Sequence, residues 1–244
     1  VVAGNAVSGA TLAVRDKALR TAAQLLEASP HDLEIAGGQI AVRGVPDRAI
    51  SLARVAQVLS SPPPAFTFPE GLAPGLEATH YFHPAGNTYS NGVHVVTVEV
   101  DVETGEVTPL RYVVVHDCGA VINPRVVDGQ CIGGVAQGLG NALYEEMLYD
   151  DSGQPLTTSY MDYLLPTAME VPDVAVGHLE TLSPMNPEGI KGAGEGGTMP
   201  VPAAIANAID DALAPLRVTV ICAPISPERL RGLIAASAGY DKSP

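Results

Sequence analysis

The hydrophobic pattern of this 244-residue chain changes from helical to extended on either side of one proline run, Pro62–Pro64. Before the run, apolar side chains within residues 10–26 recur at the spacing of an amphipathic helix, whereas residues 93–100 alternate as a strand does. Proline fits neither a helix interior nor a central strand. The pattern therefore predicts an α+β fold of mixed helices and antiparallel strands, divided into residues 1–64 and residues 65–244.

Local signals divide the first part into two helices and a hairpin. The first helix is expected to end before Pro30, because proline disfavours helical backbone in the residue that precedes it. Gly37-Gly38 predicts a tight turn between two short strands. Ser51 is typical of a helix N-cap, so we expect the second helix to begin there and to end at the proline run.

The second part is predicted to contain an antiparallel hairpin that turns at Thr104-Gly105, followed by three helices. These helices are expected to begin at Asn123-Pro124, near Val201 and at Ser226-Pro227. The first of them is predicted to run towards Met147, although each interior glycine costs about 1 kcal/mol relative to alanine. We therefore expect a neighbouring backbone or a ligand to use the close approach that its glycines allow.

Composition excludes several classes of partner. The chain has 27 acidic and 13 basic side chains, and its formal charge of −14 opposes binding to nucleic acid and to anionic lipid surfaces. No apolar run approaches the roughly 20 residues that span a bilayer, so we expect no membrane span. The 21 prolines and 25 glycines, with no period between them, predict an ordered chain that is rich in loops.

Cysteine and histidine spacing gives no support for a metal site built by the protein. Cys118, Cys131 and Cys222 are far apart in the sequence and form no C-x-x-C motif, so we expect them to be reduced, buried thiols. His80 and His83 have no evident third ligand, and we interpret them as structural.

The segment "KGAGEGGTMP", residues 191–200, places one carboxylate, Glu195, among glycines. Gly192, Gly194 and Gly197 match the G-x-G-x-x-G spacing of a dinucleotide-binding turn. The prolines before the segment argue against the strand that such a turn requires, and a carboxylate would repel a pyrophosphate. Residue types alone leave two alternatives, an exposed loop glutamate or an acid–base group held where a ligand approaches the backbone.

Four collinear segments narrow these alternatives. They are "HDCGAVINP" (116–124), "GQCIGGVAQGLGNALYEE" (129–146), "KGAGEGGTMP" (191–200) and "AAIANAIDDAL" (203–213). Together they resemble the final, molybdenum-binding part of the large subunit of the molybdenum hydroxylases, the family of xanthine dehydrogenase, aldehyde oxidoreductase and aerobic carbon monoxide dehydrogenase. The resemblance covers essentially the whole chain.

The resemblance implies a role for individual residues. Glu195 matches the family's catalytic glutamate, and Gln137 with Gly138 matches a Q-G pair beside the molybdopterin. Gly192, Ala193 and Gly194 match the turn that passes the molybdenum. No direct protein ligand to the metal is implied, because the pterin holds it. His116 and Asp117 are interpreted as structural, a hydrogen-bonded core histidine and a turn-forming aspartate.

The same resemblance implies the chemistry and the partners. A molybdenum hydroxylase oxidises an aldehyde or an N-heterocycle with oxygen from water, and a carboxylate acts as general base. Molybdopterin, in its cytosine dinucleotide form, would be the cofactor. Electrons would pass to iron–sulfur clusters on a small subunit and to FAD on a medium subunit. The remainder of the large subunit would complete the pocket, so we expect this chain to be inactive alone.

Alternatives remain within and outside this family. Carbon monoxide or an acyl-CoA-linked aromatic compound is an alternative substrate, and a non-catalytic structural domain is an alternative function. Glu195 argues against the latter, because a purely structural glycine turn needs no glutamate. The chain begins at Val1 without an initiator methionine, and we expect it to be a fragment or a processed piece. A cytoplasmic location is expected, with export left open.

Overall fold

A computed structural model of the chain describes residues 1–240, which form two compact units. The first unit comprises Val1–Ala85, and the second begins at Gly86. The boundary expected after Pro64 lies inside the first unit. Phe68 and Leu76, which follow the proline run, pack against the hydrophobic cluster of the first unit. The chain therefore contributes to this core well beyond the prolines.

The first unit combines two helices with a three-stranded antiparallel sheet. Its elements are α1 (Val2–Leu26), β1 (Leu33–Ala36), β2 (Gln39–Val42), β3 (Val45–Ser51) and α2 (Leu52–Ser60). The predicted turn is confirmed, since Gly37 and Gly38 have φ angles of 56° and 77°. Ser51 caps α2 as predicted, accepting a hydrogen bond from the Arg54 backbone N–H. β3 was not predicted, because it is largely exposed and its sequence lacks a regular alternation.

The second unit is built on a three-stranded sheet. β4 (Asn91–Val100) and β5 (Val107–Asp117) form the predicted antiparallel hairpin. β6 (Val174–Leu179) lies parallel to β5 at the opposite edge from β4. The antiparallel pairing predicted for this sheet is confirmed for β4 and β5, whereas the parallel β6 was not predicted, because it is short and follows a long loop that carries no strand signal.

Up to residue 240, this unit also contains three α-helices, one short turn of π-helix and one turn of 3-10 helix, Ala214–Leu216. α3 (Pro124–Leu139) and α5 (Pro227–Tyr240) begin at the predicted caps, and α4 spans Val201–Ala212. α3 does not continue to Met147 as predicted. It ends in a π-helical turn, residues 140–144, where the Glu145 carboxylate occupies the space beside Gly140. Among the described residues, no helix has both the length and the apolar character needed to cross a membrane.

The core of the second unit lies between the sheet and its helices. β5, α3 and α4 each contribute fully buried side chains, with α5 closing one end. They include Tyr112, Val114, Val135, Leu139, Ile205, Ile209 and Leu230. This packing places the end of β5, the second half of α3 and the start of α4 close to the loop that carries Glu195.

Candidate functional site

Glu195 lies in the long loop that joins β6 to α4, and its side chain is exposed. Its backbone carbonyl accepts hydrogen bonds from the N–H groups of Thr198 and Met199, at 3.0 and 3.2 Å. The space beside Gly194 is open, with no heavy atom within 4 Å of the position that a Cβ would take. The backbone at Glu195 is therefore folded into a turn while the carboxylate stays accessible.

The first half of this loop is held against the end of β5. The backbone N–H of Lys191 donates to the Cys118 carbonyl at 2.7 Å, and Ile190 forms an antiparallel bridge with Gly119. The N–H of Gly192 donates to the Thr88 carbonyl at 2.9 Å. The segment that leads to Glu195 thus behaves as a short extension of the sheet.

A buried ion pair supports the same contact. The Lys191 ammonium lies 3.2 Å from Asp117 and donates to the Thr181 hydroxyl at 2.7 Å. Burial would raise the pKa of Asp117, but hydrogen bonds from Thr181, Gly119 and Lys191 together lower it to about 2. Asp117 accepts from the Gly119 N–H, two residues ahead, and so has the turn-forming role predicted for it.

The second half of the loop is held by His94 of β4, which sequence reasoning missed. Its Nε2 lies 3.1 Å from the Gly196 carbonyl oxygen, and its Nδ1 lies 3.0 Å from the Tyr112 hydroxyl. A carbonyl oxygen can only accept, so Nε2 donates and Nδ1 accepts from Tyr112. Burial lowers the pKa of His94, which favours this neutral imidazole. The sequence did offer one sign of this role, because His94 lies on the inward-facing side of a strand whose residues alternate between inward and outward.

His116 of β5 contacts the same glycine from another side. A Cβ added to Gly196 would stand 2.1 Å from the Nε2 of His116, so only glycine fits there. Burial lowers the pKa of His116, and the neighbouring His178 lowers it further. The prediction of a core histidine is confirmed, but its expected hydrogen bonds are absent within residues 1–240, where neither ring nitrogen has a partner.

The glycines of α3 allow a close approach to the backbone that follows Glu195. A Cβ at Gly134 would stand 2.7 Å from the Gly197 carbonyl carbon, and one at Gly138 would stand 2.5 Å from the Val201 Cβ. A neighbouring backbone, rather than a ligand alone, therefore compensates for the low helix propensity of this segment. Gly138 is buried in this contact, whereas Gln137 faces outward and is exposed.

The residues expected near a cofactor thus separate into two groups. Gln137, Gly192, Gly194 and Glu195 are exposed, and Ala193 is half-buried. Gly138 belongs to the packing behind them. Within residues 1–240, the backbone N–H groups of Ala193, Gly194 and Glu195 have no hydrogen-bond acceptor. The same part of the chain contains no group of three or more His, Cys, Asp or Glu side chains that could hold a metal ion.

The cysteines are free thiols. Cys118 and Cys131 are buried beneath the Glu195 loop as predicted, and burial raises the pKa of each. The prediction was wrong for Cys222, which is exposed in the connection between α4 and α5.

Residues 1–172 match the family model for the molybdopterin cofactor-binding domain. The large subunit of nicotine 6-hydroxylase from Paenarthrobacter nicotinovorans is 39% identical over 247 aligned residues, which cover all of this chain and 30% of that protein. The carbon monoxide dehydrogenase large chain of Hydrogenophaga pseudoflava is 36% identical over 226 residues, or 91% of this chain and 27% of the relative. This chain therefore spans less than a third of the length of these relatives.

Solved structures show the same likeness. Quinoline 2-oxidoreductase from Pseudomonas putida 86 superimposes with a TM-score of 0.81 and 42% identity, over 91% of this chain and 28% of that one. A Cu,Mo-containing carbon monoxide dehydrogenase gives a TM-score of 0.83 and 34% identity, over 97% and 29%. The α+β fold described above is thus that of known enzyme subunits.

Proposed function

Because this chain belongs to the molybdopterin-binding large subunits of the molybdenum hydroxylases, we propose that it supplies the catalytic base and part of the cofactor pocket of such an enzyme. The observation that carries the proposal is the geometry of Glu195. Its backbone is held by hydrogen bonds and close packing, while its carboxylate projects from an otherwise glycine-rich, open surface. A base on a fixed support is what general base catalysis requires.

The exposed residues suit a flat, polar cofactor. Gln137 offers an amide that can both donate and accept, and the N–H groups of residues 193–195 are donors without a partner in residues 1–240. Gly192 and Gly194 present no side chain that would exclude a bulky group. These residues would hold the molybdopterin. When bound, it supplies the activation of water and the two-electron acceptor that the reaction needs.

Glu195 would take the proton from the attacking water-derived oxygen as the new carbon–oxygen bond forms. The C–H bond of the substrate then gives up its hydrogen with both bonding electrons, which the bound cofactor would accept, so that R–H and water become R–OH with the release of two protons and two electrons. A positioned base of this kind contributes about 10²- to 10⁴-fold to the rate. Gly194, which precedes Glu195 and faces open space, leaves the carboxylate open to both reactants.

An N-heterocycle is the substrate class that we propose. Two relatives at 39% and 42% identity carry names that refer to nicotine and quinoline, and a third at 44% refers to 6-hydroxypseudooxynicotine. The aldehyde oxidoreductase of Desulfovibrio gigas aligns over only 60% of this chain, with a TM-score of 0.54. The two carbon monoxide dehydrogenase large chains are each 36% identical to this chain. Pyridine-like rings are therefore favoured over aldehydes and carbon monoxide.

The proposal extends to the rest of the enzyme. The remainder of the large subunit would complete the pocket, with an iron–sulfur subunit and an FAD-binding subunit removing electrons. The cytosine dinucleotide form of the pterin and a cytoplasmic location belong to the same proposal. The relatives' names, which include "subunit gamma" and "large chain", support a complex of several subunits.

The test is turnover of a panel of N-heterocycles and aldehydes by the complete, molybdenum-loaded complex. We expect Glu195→Gln to keep its molybdenum and to lose at least about 10²-fold in kcat. Glu103→Gln, an exposed glutamate in the β4–β5 turn, is the matched control and should behave as wild type. Unchanged kcat for Glu195→Gln would overturn the assignment of the base. Absence of molybdenum from the natively purified complex would favour a non-catalytic domain.

A further inference from the structure

We infer that His94 is a positioning residue for Glu195, acting through the carbonyl of Gly196. The inference rests on the proposed function, because it assigns a support to the proposed base. No motif in the sequence marks His94, which lies about a hundred residues before the loop it holds. The chain of contacts runs from the hydrophobic core to the residue next to Glu195.

The donors and acceptors in the hydrogen-bonded series Tyr112–His94–Gly196 are fixed by the two outer groups. At one end, Tyr112 is fully buried in the core, and burial raises the pKa of its hydroxyl, which therefore stays protonated and donates to His94. At the other end, the Gly196 carbonyl can only accept from Nε2. The imidazole is thus held in one tautomer and one orientation by a hydrogen bond at each nitrogen, and it can hold the Gly196 carbonyl in a fixed position.

Gly196 is held from two further directions. His116 fills the space on its Cβ side, and the next residue, Gly197, packs against the backbone of Cys131, where a Cβ would stand 2.4 Å from the carbonyl oxygen. The backbone one residue after Glu195 is therefore confined by β4, β5 and α3 together. The Glu195 side chain itself lies on the open side. These contacts fix the backbone from which the Glu195 side chain extends, and they leave the carboxylate accessible to a substrate and a cofactor.

The first measurement does not depend on turnover. Amide hydrogen exchange in the complete complex would be followed for residues 189–200, in wild type and in His94→Phe. Loss of the Nε2–H donor should speed the exchange of the Thr198 and Met199 amides, which donate to the Glu195 carbonyl, by about ten-fold or more. His94→Gln places an amide N–H near the Nε2 position and should restore slow exchange. His31→Phe replaces an exposed histidine of the first unit and should leave the loop unchanged.

The second measurement is a double-mutant cycle on kcat. We expect His94→Phe to lower kcat about ten-fold with KM within about two-fold and molybdenum content unchanged. Tyr112→Phe, a smaller change that removes only the hydroxyl, should have a weaker effect in the same direction. If His94 acts through Glu195, His94→Phe should cost nothing further in the Glu195→Gln background.

The outcomes separate this inference from the proposed function. Multiplied losses in the double variant, or unchanged loop exchange in His94→Phe, would overturn the positioning role alone. A full kcat in Glu195→Gln would overturn the proposed base and the positioning role with it. Should His94→Phe fail to assemble, Tyr112→Phe and His94→Gln still decide, because a positioning role requires Tyr112→Phe to exchange the loop amides faster than wild type and His94→Gln to exchange them at about the wild-type rate.

Discussion

Asp117 shows how a single buried carboxylate ties the candidate site to the sheet. It lies at the end of β5, 6% exposed, and accepts hydrogen bonds from the Gly119 and Thr181 backbones and from Thr181 Oγ1. Lys191, four residues before Glu195, is 11% exposed and supplies the opposite charge. Because both charges are largely removed from water, removal of one partner leaves the other uncompensated, which is costlier than the loss of a surface ion pair.

The ionisation of Asp117 predicts how stability depends on pH. Its folded pKa of about 2 lies below the unfolded value of about 3.9, so its contribution is fully present above about pH 4. That contribution is lost as the pH falls from about 4 to about 2. We expect Asp117→Asn to lower the free energy of unfolding by about 3 kcal/mol at neutral pH, and the difference from wild type to shrink below about pH 4 and to be lost as the pH falls through about 2.

Denaturant unfolding at a series of pH values checks this prediction. Asp151→Asn is the matched control, since Asp151 is an exposed aspartate and its replacement should change stability by less than about 0.5 kcal/mol. A wild-type-minus-variant difference that stays constant from pH 7 to about pH 2 would contradict a role for the ionised carboxylate.

At the scale of elements, the close contact between α3 and the Glu195 loop depends on two glycines that face each other. Gly134 and Gly197 are both buried, and a Cβ on either would stand less than 3 Å from the backbone of the other element. Gly133, the neighbour of Gly134 on the same helix, has no heavy atom within 4 Å of its Cβ position. Two adjacent glycines of one helix therefore differ only in what they face.

This difference gives a paired prediction. Gly134→Ala should lower the free energy of unfolding by about 1–3 kcal/mol, because the loop backbone must move to admit a methyl group. Gly133→Ala should raise it by up to about 1 kcal/mol through better helix propensity. The two variants are compared by urea unfolding under identical conditions. Equal stabilities would show that the loop accommodates the methyl group and that the contact is not close-packed.

The elements that sequence could predict are those with local signals. Capped helices and glycine turns, such as α2 at Ser51 and the turn at Gly37-Gly38, depend on neighbouring residues and were found at the expected places. β6 depends on a parallel partner more than fifty residues earlier, and the packing of Gly138 depends on α4. The contact of His94 could not be predicted for the same reason, because it forms only when the fold brings β4 next to the Glu195 loop. Glu195 itself was identified by resemblance, since its residue type and spacing alone left two alternatives.

At the scale of the whole molecule, one face of the β4–β5–β6 sheet is apolar and uncovered in this chain. Its alternate residues Val93, Val95, Val115 and Leu179 are 64%, 57%, 38% and 59% exposed. Val93 pairs with Val115 across the strands, so the three valines form a continuous surface, and Leu179, which pairs with Asp117, lies at its edge. A contiguous exposed apolar surface is typical of an interface. The remainder of the large subunit, proposed above as the part that completes the pocket, is expected to cover this face.

The exposed apolar face predicts how the chain behaves when it is produced alone. We expect it to self-associate and to bind a dye specific for exposed apolar surface, and Val93→Thr with Val95→Thr should reduce both effects while keeping strand propensity. Val102→Thr, at an exposed valine in the β4–β5 turn, is the matched control and should change neither.

Co-expression with the remainder of the large subunit should abolish dye binding by the wild type, because the face is then buried. Light scattering and dye fluorescence measure these outcomes. A monomeric chain that binds no dye would contradict the assignment, whereas a dye signal that survives co-expression would show that another partner covers the face.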